Sequence, residues 1–272
     1  MQLGFTIKKI LAVFFEVTGL NSLMLSLLNR KYGNNYIRIV NYHSVPEKYH
    51  SQFEGQILWF LKHFECCDKE KLVRFLSGEL RFSEKPGVIF TFDDGFLDNY
   101  TVVYPVLKKL GAVGMFMVSP DLIGKSHAGT QNMDYMSASQ IRELAKEHHE
   151  ICSHTSSHHR MNSSDTSEVL KYEIVRSREE IETFLAQKID IFCWCGGEED
   201  TYTPEAASLI RQHYRYGMMT NSFPITPDTD PYQLDRSNIE ASWPMPLVKF
   251  QITGFLDWKL KTKRERVHQL TK

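Results

Sequence analysis

Seven short β-rich runs, separated by stretches of helical periodicity, constrain the architecture of this 272-residue chain more than any other feature. The runs are Tyr36 to Tyr42, Val88 to Phe92, Gly114 to Val118, Glu150 to Ser153, Ile189 to Trp194, Tyr216 to Met219 and Leu234 to Ile239. Between them, apolar residues recur on one helical face, as at Val102, Val103, Val106, Leu107 and Leu110, or Leu170, Ile174, Ile181 and Leu185. Helices are expected over Phe53 to Phe64, Lys69 to Leu76, Leu97 to Leu110, Ser137 to Glu147, Asp165 to Gln187 and Ala206 to His213. Ser137 stands three residues before Gln140, the spacing of a capping box. Pro204 suits a first helical turn. Strand–helix alternation predicts an α/β fold with a mainly parallel sheet. The pattern alone leaves open whether that sheet closes into a barrel. In either form, reactive side chains collect at the carboxyl ends of the strands. The stretch Phe223 to Pro231, with prolines at 224, 227 and 231, reads as a loop.

The two ends of the chain read differently from its middle. Residues 1–35 form a hydrophobic, amphipathic segment. Lys8 and Lys9 precede an apolar stretch in the manner of a leader, but Glu16 interrupts it and no small-x-small site follows. The run Ile10 to Phe15 is far short of the roughly 20 apolar residues of a membrane span. Residues 3–28 are therefore expected either to lie on a membrane surface, which Arg30 and Lys31 suit, or to pack on the domain. Residues 246–272 form a basic tail carrying Lys259, Lys261, Lys263, Arg264 and Arg266, read as a solvated helix face or a second lipid-facing surface. Residues 36–245 remain as one domain. A net charge of -1, from 32 basic and 33 acidic residues, gives no support for nucleic-acid binding. The five cysteines are odd in number and irregularly spaced, so no disulfide framework is expected. They read as small buried side chains in a reducing compartment, so a cytoplasmic location is expected, with peripheral attachment at the inner membrane following if residues 3–28 lie on a membrane surface.

Two motifs carry chemistry. The strand candidate Val88-Ile-Phe-Thr-Phe ends in Asp93, Asp94 and Gly95. Burying a carboxylate near a strand end is costly unless it is paired or metal-bound. Two in a row suggest divided labour, one on a metal and one free as a base, although Asp-Gly is also a common turn pair. The second motif, His154-Thr-Ser-Ser-His158, follows the fourth strand candidate. Imidazoles four residues apart can face one point, a spacing that zinc sites use, and a solvated histidine cluster is the plainer reading. Together the motifs offer one Asp and two His, the three ligands a catalytic metal site needs if positions are to stay open.

Thr-Phe-Asp-Asp-Gly followed by His-Thr-Ser-Ser-His resembles the polysaccharide deacetylase family, which includes chitin, peptidoglycan and nodulation-factor deacetylases. FDDGFLDNY, GAVGMFMV and HEICSHTSSH extend the resemblance, which spans residues 36 to 240. It implies a single-domain, distorted (β/α)7 barrel. It also implies that Asp93 is the catalytic base and that Asp94, His154 and His158 bind a divalent metal. Zinc comes first among the candidates, with Co²⁺, Ni²⁺, Mn²⁺ and Fe²⁺ also compatible. The late histidine of the usual arrangement has no counterpart here. Val40-Asn-Tyr-His-Ser-Val45 instead resembles the early Tyr-His motif of the permuted branch that includes poly-N-acetylglucosamine deacetylases, which makes His43 the proposed general acid. The aromatic-Pro-x-Gly turn appears as Trp194-Cys-Gly-Gly197, with Cys195 in place of the proline. Trp194 is a candidate for stacking on a sugar or for filling the barrel. Gly197 and Arg236 complete the substrate-binding candidates, and Arg236 is also placed to orient Asp93 by an ion pair. The implied reaction is hydrolysis of the acetamide of an N-acetylated sugar in a cell-envelope glycan or lipid-linked precursor. A catalytically inactive carbohydrate-binding domain on the same fold is the alternative.

Overall fold

The computed structural model describes residues 2–127 and 133–272; residue 1 of the expected amino-terminal segment lies outside the described residues. All seven expected runs are strands: β1 (Ile37–Tyr42), β2 (Gly87–Phe92), β3 (Gly114–Val118), β4 (Glu150–Ser153), β5 (Ile191–Cys193), β6 (Tyr216–Met219) and β7 (Leu234–Asn238). Each pairs in parallel with the next, and β7 pairs with β1, with Ile39 opposite Arg236 and Asn41 opposite Asn238. The sheet that the pattern left open or closed is therefore a closed seven-stranded barrel with helices around it.

The barrel is distorted at two places. β4 and β5 meet only at Ser153 opposite Phe192. β6 and β7 are joined without a helix, through the proline-bearing loop, which pairs Ile225 with Ile37. The helices otherwise fall where periodicity puts them, at His50–His63, Lys69–Leu76, Tyr104–Leu110, Ala138–Lys146, Ser177–Leu185 and Pro204–His213. Ser137 and Gln140 form the expected capping box, and Pro204 occupies a first-turn position.

Strand alternation separates two apolar layers. Ile37, Ile39, Ile89, Met115, Met117, Cys152, Ile191, Cys193, Met218 and Leu234 fill the barrel. Residues of opposite parity, such as Val40, Phe90, Phe92 and Phe116, pack outward against the helices with Phe53, Phe60 and Leu107.

The ends of the chain are built into this body. Helix α1 (Gln2–Val17) and helix α2 (Leu20–Tyr32) meet at 82°, and no single helix is long and apolar enough to cross a membrane. Phe15 of α1 packs edge-on against Phe250 and Phe255, while Leu25 and Leu28 of α2 join the main core. The other side of α1 leaves Ile10, Phe14 and Val17 exposed. Residues 246–272 are not a tail. They form α3 (Met245–Ile252), α4 (Phe255–Lys259) and α5 (Lys261–Leu270). Arg38 points outward from β1 and donates to Asp257 at 2.9 Å (Nη1 to Oδ1), both side chains buried. Val267 and Arg264 of α5 are buried as well, so the basic residues are not all a solvated face. The basic count gave no sign of this docking, because the anchors are single residues scattered among the charges.

Candidate active site

Strand parity explains why so many polar groups converge. Inward positions continue past the apolar filling to the carboxyl ends: Ile39 then Asn41 on β1, Ile89 then Thr91 and Asp93 on β2, Leu234 then Arg236 on β7. Cys152 leads to His154 after β4, and Cys193 to Cys195 after β5. Asp94 breaks the alternation. Its φ of 74° lies in the left-handed region, as do Thr155 at 62° and His158 at 64°. For a β-branched threonine this is a strained conformation. Such strain is held in place only where surrounding structure over-determines it. Part of that support is Glu173, which accepts from the backbone N–H of Ser157 at 3.0 Å and from its hydroxyl at 2.7 Å.

Asp94, His154 and His158 come together. Asp94 Oδ1 lies 2.9 Å from His158 Nε2 and 3.4 Å from His154 Nε2. These approaches lack hydrogen-bond alignment, and Asp94 Oδ1 is a buried oxygen with no donor. Three lone-pair-bearing atoms facing one point, one of them orphaned, suit a divalent cation. His154 Nδ1 lies 3.0 Å from the Cys193 carbonyl, which places the proton on Nδ1 and leaves Nε2 free to ligate. Burial opposes charge in all three groups, yet their mutual proximity prevails. Asp94 is held far below the usual carboxylate range. The His154 imidazole is pushed well up by the neighbouring Cys195, Cys193 and Asp93, and His158, beside Asp94 and Cys195, rises to about 9.

A metal ion needs neutral imidazoles, so protons compete with it below pH 9. The affinity for Zn²⁺ is therefore expected to rise with pH, about tenfold per unit for each proton displaced. Competitive chelator titrations across that range measure the slope. A flat profile would mean that the imidazoles are not the ligands.

Asp93 is kept apart from this cluster. Arg236 grips it in a two-pronged ion pair, Nη1 to Oδ1 at 2.6 Å and Nη2 to Oδ2 at 2.9 Å. Asn41 donates to Oδ2 at 2.9 Å. Burial raises the Asp93 pKa, but Arg236, then His154, lower it further, so the carboxylate stays ionised. Arg236 is wholly buried beneath Asp93, which corrects its place among the substrate-binding candidates. It cannot touch a ligand, and it orients the carboxylate instead. Trp194 is corrected too. Only 2% of it is exposed, and it packs against Phe192 and Tyr202, with ring centroids 6.1 and 5.1 Å away. It fills the core because its parity is outward, opposite to that of Cys193 and Cys195.

His43 lies at the mouth, 36% exposed, with Nε2 3.8 Å from Asp93 Oδ2 and Nδ1 4.0 Å from Glu240 Oε1. It lines two adjoining cavities. One, of about 820 Å³, is bounded by Ser44, Tyr49, Phe96, Asp98 and Glu240. The other, of about 510 Å³, holds Asp93, Asp94, His154 and His158, with Gly197, Asn238 and Lys263 on its wall. Gly197 is thus on the cavity wall, and a Cβ there would come within 2.3 Å of Thr220 Oγ1. Two residues of the site escaped the sequence reading. Lys263 of α5 donates to the Gly197 carbonyl, and nothing local marks it among its four basic neighbours Lys259, Lys261, Arg264 and Arg266. Cys195 was visible as the replacement of a proline, yet read only as packing. Its Sγ lies 3.7 Å from His154 Nε2. Burial raises its pKa, but His154 and His158 bring the thiol down to about 7.

A closed parallel barrel with this cluster at its carboxyl ends is that of a carbohydrate deacetylase, a hydrolase acting on amide bonds. The model of the family described as polysaccharide deacetylase matches residues 82–214, which include Asp93, Asp94, His154, His158 and Cys195. Over those residues the chain carries a polysaccharide deacetylase domain. YxkH of Bacillus subtilis (strain 168), which bears the name of a polysaccharide deacetylase, is 28% identical over 210 residues, covering 74% of this chain and 70% of that protein. Among solved structures, the Streptococcus pyogenes deacetylase PplD in complex with acetate aligns with a TM-score of 0.63 at 24% identity, over 79% of this chain and 98% of that one. IcaB from Ammonifex degensii aligns with a TM-score of 0.66 at 18% identity, over 82% and 97%. The de-N-acetylase from Aggregatibacter actinomycetemcomitans aligns at 0.65 and 17%, over 79% and 99%. These structural likenesses establish the barrel fold.

Proposed function

We propose that this protein is a metal-dependent N-deacetylase that hydrolyses the acetamide of an N-acetylated sugar in a cell-envelope glycan or its lipid-linked precursor. The observation that carries this reading is the division between two adjacent carboxylates. Asp94 converges with two imidazoles, while Asp93 is turned away from them into the grip of Arg236 and Asn41. A module that only binds has no use for a second, separately held carboxylate. A divalent cation held by Asp94, His154 and His158, zinc first among the candidates, supplies Lewis acidity toward the amide carbonyl and a water nucleophile near neutral pH. Asp93 accepts the proton of the attacking water. Arg236 keeps that carboxylate ionised and fixes its direction. His43, the half-buried imidazole at the mouth beside Asp93, donates a proton to the departing amine, which is otherwise a very poor leaving group. Together the two cavities offer room for a sugar chain across the site.

The exposed Ile10, Phe14 and Val17 of α1 support peripheral attachment at the cytoplasmic face of the inner membrane through residues 3–28. A precursor on a lipid carrier suits that position.

The deciding assay is acetate release from N-acetylglucosamine oligomers and lipid-linked N-acetyl sugars as metal is titrated in. Glycan binding without acetate release from any of them favours the inactive binding domain. His43→Ala is expected to lower turnover by about 10²–10⁴-fold while metal content is unchanged. Undiminished turnover in that variant assigns the proton donor elsewhere.

A further inference from the structure

The end of β5 brings a thiol against the imidazoles of His154 and His158, in a three-residue group that does not include Asp94. Cys195 Sγ and both imidazole nitrogens lie within 4.8 Å of one another. The closest of these contacts is the 3.7 Å from Sγ to His154 Nε2, and that same nitrogen is 3.4 Å from Asp94 Oδ1. Bond lengths to zinc are about 2.0–2.1 Å for imidazole nitrogen and about 2.3 Å for thiolate. Tetrahedral donors around one zinc ion therefore stand about 3.3 Å apart for nitrogen–oxygen pairs and about 3.6 Å apart for nitrogen–sulfur pairs. The two separations measured from His154 Nε2 match those values, whereas Asp94 Oδ1 stands 2.9 Å from His158 Nε2, closer than such a pair.

The thiol is placed there by the backbone. Cys193 and Cys195 share the inward parity of β5, and the Cys193 carbonyl holds His154 Nδ1. One short segment thus supplies both the sulfur and the group that orients the neighbouring imidazole. Gly196, with a φ of 89°, turns the chain just beyond the thiol. All five cysteines are free, and among the described residues only Cys195 belongs to the cluster. A simple hydrogen bond between the thiol and His154 accounts for one contact. It does not account for the convergence of His158 on the same sulfur.

We propose that Cys195 is a fourth protein ligand to the divalent cation bound by Asp94, His154 and His158. The inference rests on the metal-dependent reading above. It makes the centre a sulfur-containing, four-ligand set in a barrel where three ligands and open positions are what hydrolysis requires. A thiolate donor also biases the site toward Zn²⁺ and Co²⁺ and away from Mg²⁺.

The test is the absorption spectrum of the full-length, metal-free protein titrated with Co²⁺ under reducing conditions. Wild type is expected to develop a near-ultraviolet sulfur-to-cobalt charge-transfer band that saturates with the visible ligand-field bands. Cys195→Ser and Cys195→Ala are expected to keep the visible bands, lose the charge-transfer band and bind Co²⁺ at least about tenfold more weakly. If wild type shows visible bands without charge transfer, the thiol is only a hydrogen-bond partner, and the proposal falls while the deacetylase reading stands. If the band persists in both variants, the sulfur comes from another cysteine and the proposal also falls. If the protein binds neither Co²⁺ nor Zn²⁺, both readings fall together. Should the variants fold poorly, the wild-type spectrum still decides.

Discussion

Asp93→Asn is expected to lower acetate release by about 10²–10⁴-fold, the range for loss of a positioned base, with metal bound at the wild-type stoichiometry. That is about 3–5 kcal/mol of transition-state stabilisation. Asparagine keeps the shape of the side chain and one acceptor oxygen, so Asn41 and one arm of Arg236 keep a partner. It cannot take a proton from water at neutral pH. The metal should stay because the cluster of Asp94, His154 and His158 does not include Asp93. The measurement pairs turnover per bound metal with metal content. Turnover within a few-fold of wild type would remove Asp93 from the chemistry. Loss of metal along with activity would mean that the two carboxylates are not divided in the way the geometry indicates.

The second large effect is on stability. Arg236→Met is expected to cost about 3–5 kcal/mol at neutral pH, because it strands a buried carboxylate without its cation. Arg236 and Asp93 are both almost wholly buried, and Asn41 and Thr91 are arranged around the guanidinium, with Asn41 Oδ1 accepting from Nη1 at 2.9 Å. The pH dependence has a definite sign. In wild type the Asp93 pKa is depressed, so its contribution is present above the unfolded carboxylate pKa of about 3.9 and is lost as pH falls through the folded value. In the variant the cause of that depression is gone and burial pushes the pKa up instead. The stability gap between the two proteins should therefore narrow on acidification, as the stranded carboxylate takes up a proton. Denaturant titrations at several pH values measure this. A constant gap would show that the cost comes from packing rather than from charge.

Much of the candidate site was legible because its residues sit at strand ends. The change from apolar residues to Asp93-Asp94-Gly95, or from Glu150-Ile-Cys-Ser to His154, is a local event within a few residues. The seven strands and most helices were legible for the same reason, since period and capping act over short distances. Trp194 shows the limit of that reasoning. An aromatic beside a glycine-rich turn looks like a sugar platform, and its outward parity put it among Phe192 and Tyr202 instead. The basic carboxyl-terminal residues mark the same limit, because charge count does not reveal which lysine reaches a cavity wall.

By itself, then, the sequence determined the alternating elements and the chemical types gathered at their carboxyl ends. Only closure of the barrel decided which of them touch. Asn41, Asp93 and Arg236 are 195 residues apart at the extremes, and they meet because β7 pairs with β1 and β1 with β2. Cys195 joins the two imidazoles because β4 and β5 are neighbours. Alternation along a strand is written in adjacent residues. The register between strands is set by the packing of the whole core, so no single segment of the chain records it.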